Sequence, residues 1–412
     1  MRVVDRRVEK VNPDGTARVV AVTGIGVVSS CGIGADNFFN GLLNPTNLEA
    51  PRRVIDFDAS SLFEPKELRR VDRFTQFSTF ATHEALLQSG IINADETMVS
   101  DINPERIGVM IATGVGGLET LEGQIEVQLN KGAKRVSPFL VPMMMSNAAS
   151  ANISMRYKFQ GPCEAVITAC ASSTHSIGNA ARLVATGRCD VMVAGGAEAP
   201  LTATGIAAFR NMTALSTTDV SMPFDAHRDG FIIAEGAATL ILEDIEHAKK
   251  RGATILGIIM GAASSADAHH ITAPAPNGIG ALTCMQLALD DANLSPQDIV
   301  HINAHGTSTP LNDAAEAEAV SKLFSSNRPP VTSIKGAIGH ALGAAGAIEA
   351  VACILTNQKR IIPPTIGLKQ LDPEFDMDVV KDEPREFTPG NIISNSFGFG
   401  GHNGSLIIGP SV

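Results

Sequence analysis

Three side chains suited to acyl-transfer chemistry stand at comparable places in this sequence: Cys170 in TACASS, His305 in NAHGTSTP and His340 in IKGAIGH. The histidines each end a strand pattern and open a loop, and ligands of α/β sheets sit outside the carboxyl ends of strands. A lone cysteine is ordinarily a small buried hydrophobe. Cys170 differs in its setting, between a strand pattern at Ala165–Thr168 and a helix pattern marked by Ile177, Ala180, Ala181 and Val184. That puts it at a helix N-terminus, where free N–H groups and the macrodipole favour a thiolate. The same N–H groups suit the oxyanion that forms when a thioester carbonyl is attacked. A single histidine is more often structural, but two beside one cysteine form a constellation. Their chemistry would be hydrogen-bond donation to the enolate left when a malonyl thioester loses CO2. Losing one such donor typically costs about 2.7–4 kcal/mol of barrier.

A fourth element is NSFGFGGHNGS at 395–405, where four glycines in eleven residues indicate a tight turn. It reads either as a hairpin turn carrying two core phenylalanines or as a mobile loop that supplies an oxyanion N–H and lets Phe399 gate a pocket.

The elements that must position these groups alternate between short Val- and Ile-rich runs and helical patterns, which indicates an α/β fold. Strands are predicted at Arg18–Thr23, Ile107–Ala112, Glu164–Thr168 and Val191–Ala194, then at Leu256–Ala262, Asp298–Asn303, Pro330–Ile334 and Asn391–Ser396. Such continuous apolar runs fit a sheet buried on both faces. The order repeats weakly. AVITACASSTHSIGNAARLV and PPVTSIKGAIGHALGAAGAIEAVACIL each run from strand through small-residue turn to helix, and RIGVMIATGVGG pairs with DIVHINAHGTST. Two related halves, residues 17–255 and 256–412, follow a short N-terminal extension at 1–16.

Composition sets limits. With 412 residues, 44% hydrophobic and 18% charged, the chain can bury a large core. It carries a net charge of −11, one Tyr and no Trp, which argues against nucleic acid as a partner. No stretch reaches the length of a membrane span. Six scattered cysteines without a CxxC pair read as reduced thiols in the cytosol. His269, His270 and His301 have no HExxH pattern or carboxylate cluster around them, so no metal site is expected. GIG at 24–26 and GVGG at 114–117 lack the full dinucleotide pattern. Lys66, Arg69, Arg70 and Arg73 would share one face if Pro65–Phe77 is helical. That stripe is either a solvated face or a docking patch for an acidic partner.

TACASS, NAHGTSTPLND at 303–313, SIKGAIGHALGAAGAIE at 333–349 and NSFGFGGHNG at 395–404, with AGGAE at 194–198 and RDGFIIAEGA at 228–237, closely resemble the β-ketoacyl-(acyl carrier protein) synthases of the type II-like, elongating kind. The resemblance covers the chain from about residue 18. It implies a thiolase fold, two βαβαβαββ halves in a five-layer α-β-α-β-α sandwich, as a cytoplasmic homodimer. It implies a 3-oxoacyl-(acyl carrier protein) synthase of fatty acid biosynthesis. Cys170 would take an acyl chain from acyl carrier protein, and the enolate of malonyl-carrier protein would then attack it, lengthening the chain by two carbons. His305 and His340 would support decarboxylation. Lys335 matches the site lysine, with Glu349 in the network behind it, and the backbone N–H groups of Cys170 and Phe399 would form the oxyanion hole. Thr307 and Thr309 match positions that bind the pantetheine arm; Val115, Phe209, Phe397 and Glu349 are further expected on the substrate side, and Lys66, Arg69, Arg70 and Arg73 toward the carrier. No metal or organic cofactor is implied.

Departures from the family pattern are Ser172-Ser173 after the nucleophile, GGHN in the last motif, Val115 where a larger Ile is common, and a basic residue shifted to Arg210. A degradative thiolase would need a second Cys where Phe399 stands. A primer-type synthase would carry Asn in place of one His. A polyketide synthase subunit shares these motifs, and a length-setting partner subunit would have lost Cys170.

Overall fold

The computed structural model describes residues 18–99 and 101–411; the extension expected at 1–16 lies outside the described residues. The first half runs β1 (Val20–Ser29), α1 (Arg73–Ser89), β2 (Ile107–Ala112), α2 (Ala148–Tyr157), β3 (Cys163–Glu164), α3 (Ser172–Ala185), β4 (Val191–Glu198) and β5 (Gly236–Asp244). The second runs β6 (Gly257–Ala266), α4 (Ile279–Ala292), β7 (Ile299–Asn303), α5 (Pro310–Leu323), β8 (Val331–Thr332), α6 (Ala345–Lys359), β9 (Asn391–Gly398) and β10 (His402–Gly409).

The sheet order is β3-β2-β4-β5-β1 in the first half and β8-β7-β9-β10-β6 in the second, one topology used twice. In each half the second strand pairs in parallel with the third and fourth, and the fifth lies antiparallel to both its neighbours. The halves join where Val20–Val22 of β1 pairs antiparallel with Gly257–Ile259 of β6. Helices α1 and α2 cover the outer face of the first sheet and α4 that of the second, with α5 packed on α4. Helices α3 and α6 pack on each other and on strands of both sheets. This is the duplicated five-layer arrangement expected from the sequence.

Position in the layers explains composition. β1, β2, β4 and β5 are buried along their whole length, as strands covered on both faces must be. α6 is buried from Ala345 to Asn357, so it is mostly apolar all round and lacks a solvated polar stripe, with Glu349 as its one buried charge-bearing side chain.

Two readings need correction. The last strand of each half, β5 and β10, was not anticipated. Their Gly, Ala and polar residues (GAATLILED and HNGSLIIG) hide the apolar alternation. The single helix at Pro65–Phe77 does not form: helix Pro65–Leu68 ends, and Asp72 caps a new one by accepting a hydrogen bond from the Phe74 N–H at 3.1 Å. The four basic residues therefore do not share one helical face.

Candidate active site

Cys170 sits on the turn between β3 and α3. Ala169 just before it has φ 51°, in the left-handed region where a residue with a Cβ is strained, at a point where the chain must turn sharply to present the thiol. The turn is held from within: Ser172 Oγ accepts from the Thr168 N–H at 2.8 Å and donates to the Ala169 carbonyl at 2.6 Å. Ser173 Oγ accepts from the Ala347 N–H of α6 at 2.9 Å, tying the two halves together. The Ser-Ser pair that departs from the family pattern thus has a structural role. From the far side the β9–β10 hairpin closes in. A Cβ on Gly398 would lie 3.0 Å from the Cys170 nitrogen and 3.2 Å from the Thr168 carbonyl, so a side chain there would press on the nucleophile turn.

The histidines come from the second half. His340 Nε2 lies 3.1 Å from Cys170 Sγ, and the His305 and His340 rings are 5.4 Å apart, nearly perpendicular. Lys335 Nζ donates to the His305 carbonyl at 2.7 Å and lies 3.3 Å from His305 Nδ1. It also forms a short, buried ion pair with Glu349. NSFGFGG spans the end of β9 and the turn of the β9–β10 hairpin, with Phe397 on the strand, 6.0 Å ring to ring from His305, and Phe399 at the tip.

Burial controls the electrostatics. It pushes the Cys170 thiol up to about 11, opposed by the Lys335 charge and by the N–H groups of Phe399 and Cys170 itself. The sequence argued from the helix N-terminus for a lowered value; desolvation outweighs it here. Burial, then the Lys335 charge, drives His305 and His340 well below the usual imidazole range, so both are neutral. Burial also raises Glu349 to about 7, with the Lys335 ammonium opposing the rise.

Ligand atoms of Cys170, His305 and His340 lie within 4.8 Å of one another, compact enough to consider a soft divalent cation. The ammonium of Lys335 beside His305 repels such an ion, and a thiol raised by burial is a poor ligand. The group fits nucleophilic chemistry better: a thiol, a neutral imidazole to take its proton, and two N–H groups facing the sulfur.

The three residues open onto a cavity of about 570 Å³ that Phe209, Phe231, Thr307, Thr309, Phe397 and Phe399 also line. The Thr307 and Thr309 hydroxyls lie 3.0 Å apart, and Phe209 packs edge-on against Phe231. Two residues assigned to the substrate side do not line it. Glu349 is sealed behind Lys335. Val115 is exposed, its N–H bound by Glu198 at 3.2 Å. Lys66, Arg69 and Arg70 are exposed, Arg70 lying over the Phe139 ring. Arg73 instead pairs with buried Glu235 at 2.8 Å and stacks on Phe77, which removes it from any docking patch.

Sequence reasoning missed the carboxylates that shape the site. Glu316 takes the N–H groups of His305 and Gly306 at 2.8 and 2.7 Å. Glu198 takes those of Gly114 and Gly343, at 2.6 and 2.9 Å. An acidic residue on an otherwise small and apolar helix face, as in AAEAEA, was the available signal for the first.

Family models match twice, one described as the N-terminal domain of beta-ketoacyl synthase over residues 50–248 and one as its C-terminal domain over 256–369. The chain is 40% identical over 408 residues to a 3-oxoacyl-[acyl-carrier-protein] synthase 2 of Synechocystis, covering 94% of this chain and 97% of that protein. A protein of the same name from Coxiella burnetii is 39% identical, with 95% and 98% covered. Among solved structures, a beta-ketoacyl synthase from Burkholderia phymatum superposes with TM-score 0.88 at 33% identity, over 96% of this chain and all of that one. The ishigamide ketosynthase/chain length factor reaches TM-score 0.88 at 31% identity, with the same coverage.

Proposed function

The chain belongs to the beta-ketoacyl synthase family, and from this premise and the site geometry we propose that it is a 3-oxoacyl-(acyl carrier protein) synthase that elongates fatty acyl chains with Cys170 as nucleophile. The observation that carries the reading is the Cys170 Sγ to His340 Nε2 approach of 3.1 Å at the floor of a cavity lined by both halves.

In the first step Sγ attacks the acyl thioester carbonyl while neutral His340 takes the thiol proton. The backbone N–H groups of Cys170 and Phe399 receive the oxyanion. The C–S bond to the carrier's pantetheine breaks, and its sulfur leaves with the proton. In the second step a malonyl thioester loses CO2. His305 and His340, the latter once its ring proton has moved from Nδ1 to Nε2, then face the enolate oxygen as N–H donors, with Lys335 fixing the His305 main chain. The enolate carbon attacks the acyl-Cys170 carbonyl, the C–S bond to Cys170 breaks, and the product is a 3-oxoacyl chain two carbons longer. Phe399, at the hairpin tip, sits where a gate over the thiol would stand. Division of labour follows the halves: residues 17–255 carry the nucleophile and 256–412 the two histidines.

The carrier would dock through Lys66, Arg69 and Arg70, an exposed basic group on an acidic protein. Charge reversal there should raise KM for carrier-bound substrates and leave pantetheine analogues unaffected. A homodimer fits two features. Val141, Met155 and Ile167 are more than half exposed. Strand β3 forms an exposed sheet edge, and such edges seek a partner. Among the described residues no helix is long and apolar enough to cross a membrane.

A polyketide role is the second reading, favoured by the likeness to the ishigamide ketosynthase and to a type II polyketide ketosynthase solved with its acyl-carrier protein, TM-score 0.86 at 29% identity. Supplying long-chain acyl-carrier and malonyl-carrier protein and weighing the carrier products separates the two. A single two-carbon extension of a saturated chain is the expected result. Products extended repeatedly without reduction would favour the polyketide role, and no extension would overturn both.

A further inference from the structure

Arg52 is 2% exposed and among the largest enclosed side chains of the protein. Among the described residues no carboxylate pairs with this buried guanidinium. Its donors go instead to main-chain carbonyls: Nε to Ala337 at 3.1 Å, Nη1 to Glu49 at 2.8 Å and Nη2 to Gly336 at 3.4 Å. Two of these acceptors belong to the four-residue helix Lys335–Ile338, which lies buried between the site lysine and His340. The last carbonyls of a helix have no partner within it, and no water reaches them at this depth. Arg52 supplies the missing donors, and Ser30 Oγ supplies one more, to the Ile338 carbonyl at 3.2 Å.

The arginine also sets the turn that follows. Gly339 has φ 73°, and a Cβ there would lie 2.7 Å from Arg52 Cγ, so the arginine stem is the wall against which the chain bends toward His340. The main chain locks the same relation. The segment 232–235 holds His340 on one edge, through the His340 N–H to Ile232 at 2.7 Å and the Ala234 N–H to His340 at 3.0 Å. It holds Arg52 on the other, through the Arg52 N–H to Ile233 at 3.0 Å and the Glu235 N–H to Arg52 at 3.3 Å. The planar fork of arginine reaches two successive carbonyls at once, which a lysine ammonium cannot match.

We infer that Arg52 is a positioning residue: by capping the helix Lys335–Ile338 and walling the Gly339 turn, it holds His340 at its reacting distance from Cys170. The inference rests on the reading of Cys170 and His340 as the reacting pair.

The test is a double-mutant cycle in the full chain between Arg52→Met, which keeps bulk and removes the donors, and His340→Ala. Three quantities are read: kcat and KM for condensation, and the pH profile of Cys170 alkylation by iodoacetamide. Displacing a reacting group by about 1 Å costs roughly 100-fold, so Arg52→Met should lower kcat by about that factor with KM little changed. It should also shift the alkylation profile, and Arg52→Lys should recover part of both. In the His340→Ala background the Arg52 change should leave the profile as it finds it. Wild-type kcat and profile in Arg52→Met would overturn the inference, as would an equal profile shift with and without His340. If Arg52→Met does not fold, Arg52→Lys and Ser30→Ala take its place in the cycle, with smaller shifts in the same direction expected and unchanged profiles overturning it. Should the wild type prove unable to condense, the functional reading fails separately, because the alkylation cycle needs no substrate.

Discussion

The two halves share one strand order yet bring unlike chemistry to the site. In the first, the turn from β3 to α3 spans residues 165–171 and presents a single reactive atom, Cys170 Sγ, at a helix start. In the second, the corresponding connection from β8 to α6 spans 333–344, long enough for the helix Lys335–Ile338, the ammonium of Lys335 and the imidazole of His340. Both halves hold the loop after their second strand with a buried carboxylate, Glu198 in one and Glu316 in the other. The scaffold is thus kept in duplicate, while the length and content of one connection decide whether a half contributes a nucleophile or a set of donors.

Cys170→Ala should give the largest effect, a loss of acyl transfer of roughly 10⁴-fold or more, since nucleophile removal leaves only binding and oxyanion stabilisation. Substantial acylation of this variant, read by intact mass, would break the assignment of the nucleophile to the first half. Lys335→Met comes next. It removes the ammonium that holds Glu349 toward its charged form, so Glu349 must take a proton or stay buried without its partner; breaking such a pair costs up to about 3–5 kcal/mol, measurable by urea denaturation. Equal stability would mean that Lys335 does not organise the second half.

A smaller effect is expected from Glu316→Gln. The amide oxygen can satisfy one of the two loop N–H groups, so the cost is about 1–3 kcal/mol for the other left without an acceptor. This residue also carries a pH signature. Its folded pKa, about 7, is raised from 4.5 by burial, so the folded protein binds more protons than the unfolded chain between those values. Its contribution is full below 4.5 and fades as pH rises through 7. Stability should fall over that window, and Glu316→Gln should flatten the slope; an unchanged slope would remove Glu316 as its source.

Much of the site was legible because its chemistry is local. TACASS marks the turn and the start of α3 in one short segment, and NAHGTST marks the end of β7. The strand expected at Glu164–Thr168 is only Cys163–Glu164, and His340 follows the helix Lys335–Ile338 and not a strand end. What was hidden depends on depth or on distant partners. The helix N-terminus at Cys170 is visible in sequence, but the burial that raises the thiol to about 11 is not. Glu198 acts on Gly343 and Arg52 on Ala337, contacts that only the tertiary fold creates. The basic stripe failed because Asp72 caps a helix in the middle of it, so that Arg73 turned to Glu235. The strands β5 and β10 escaped notice because glycine, alanine and polar residues fill positions where a strand pattern needs larger apolar ones.

The most direct test of the division between halves is to supply the Cys170→Ala protein with malonyl-carrier protein and record CO2 release together with intact-protein mass. The expected result is continued decarboxylation by the intact His305–His340 pair with no acyl adduct on the protein. If CO2 release disappears along with acylation, the second half does not act on malonyl thioester independently of Cys170, and the account is wrong at its centre.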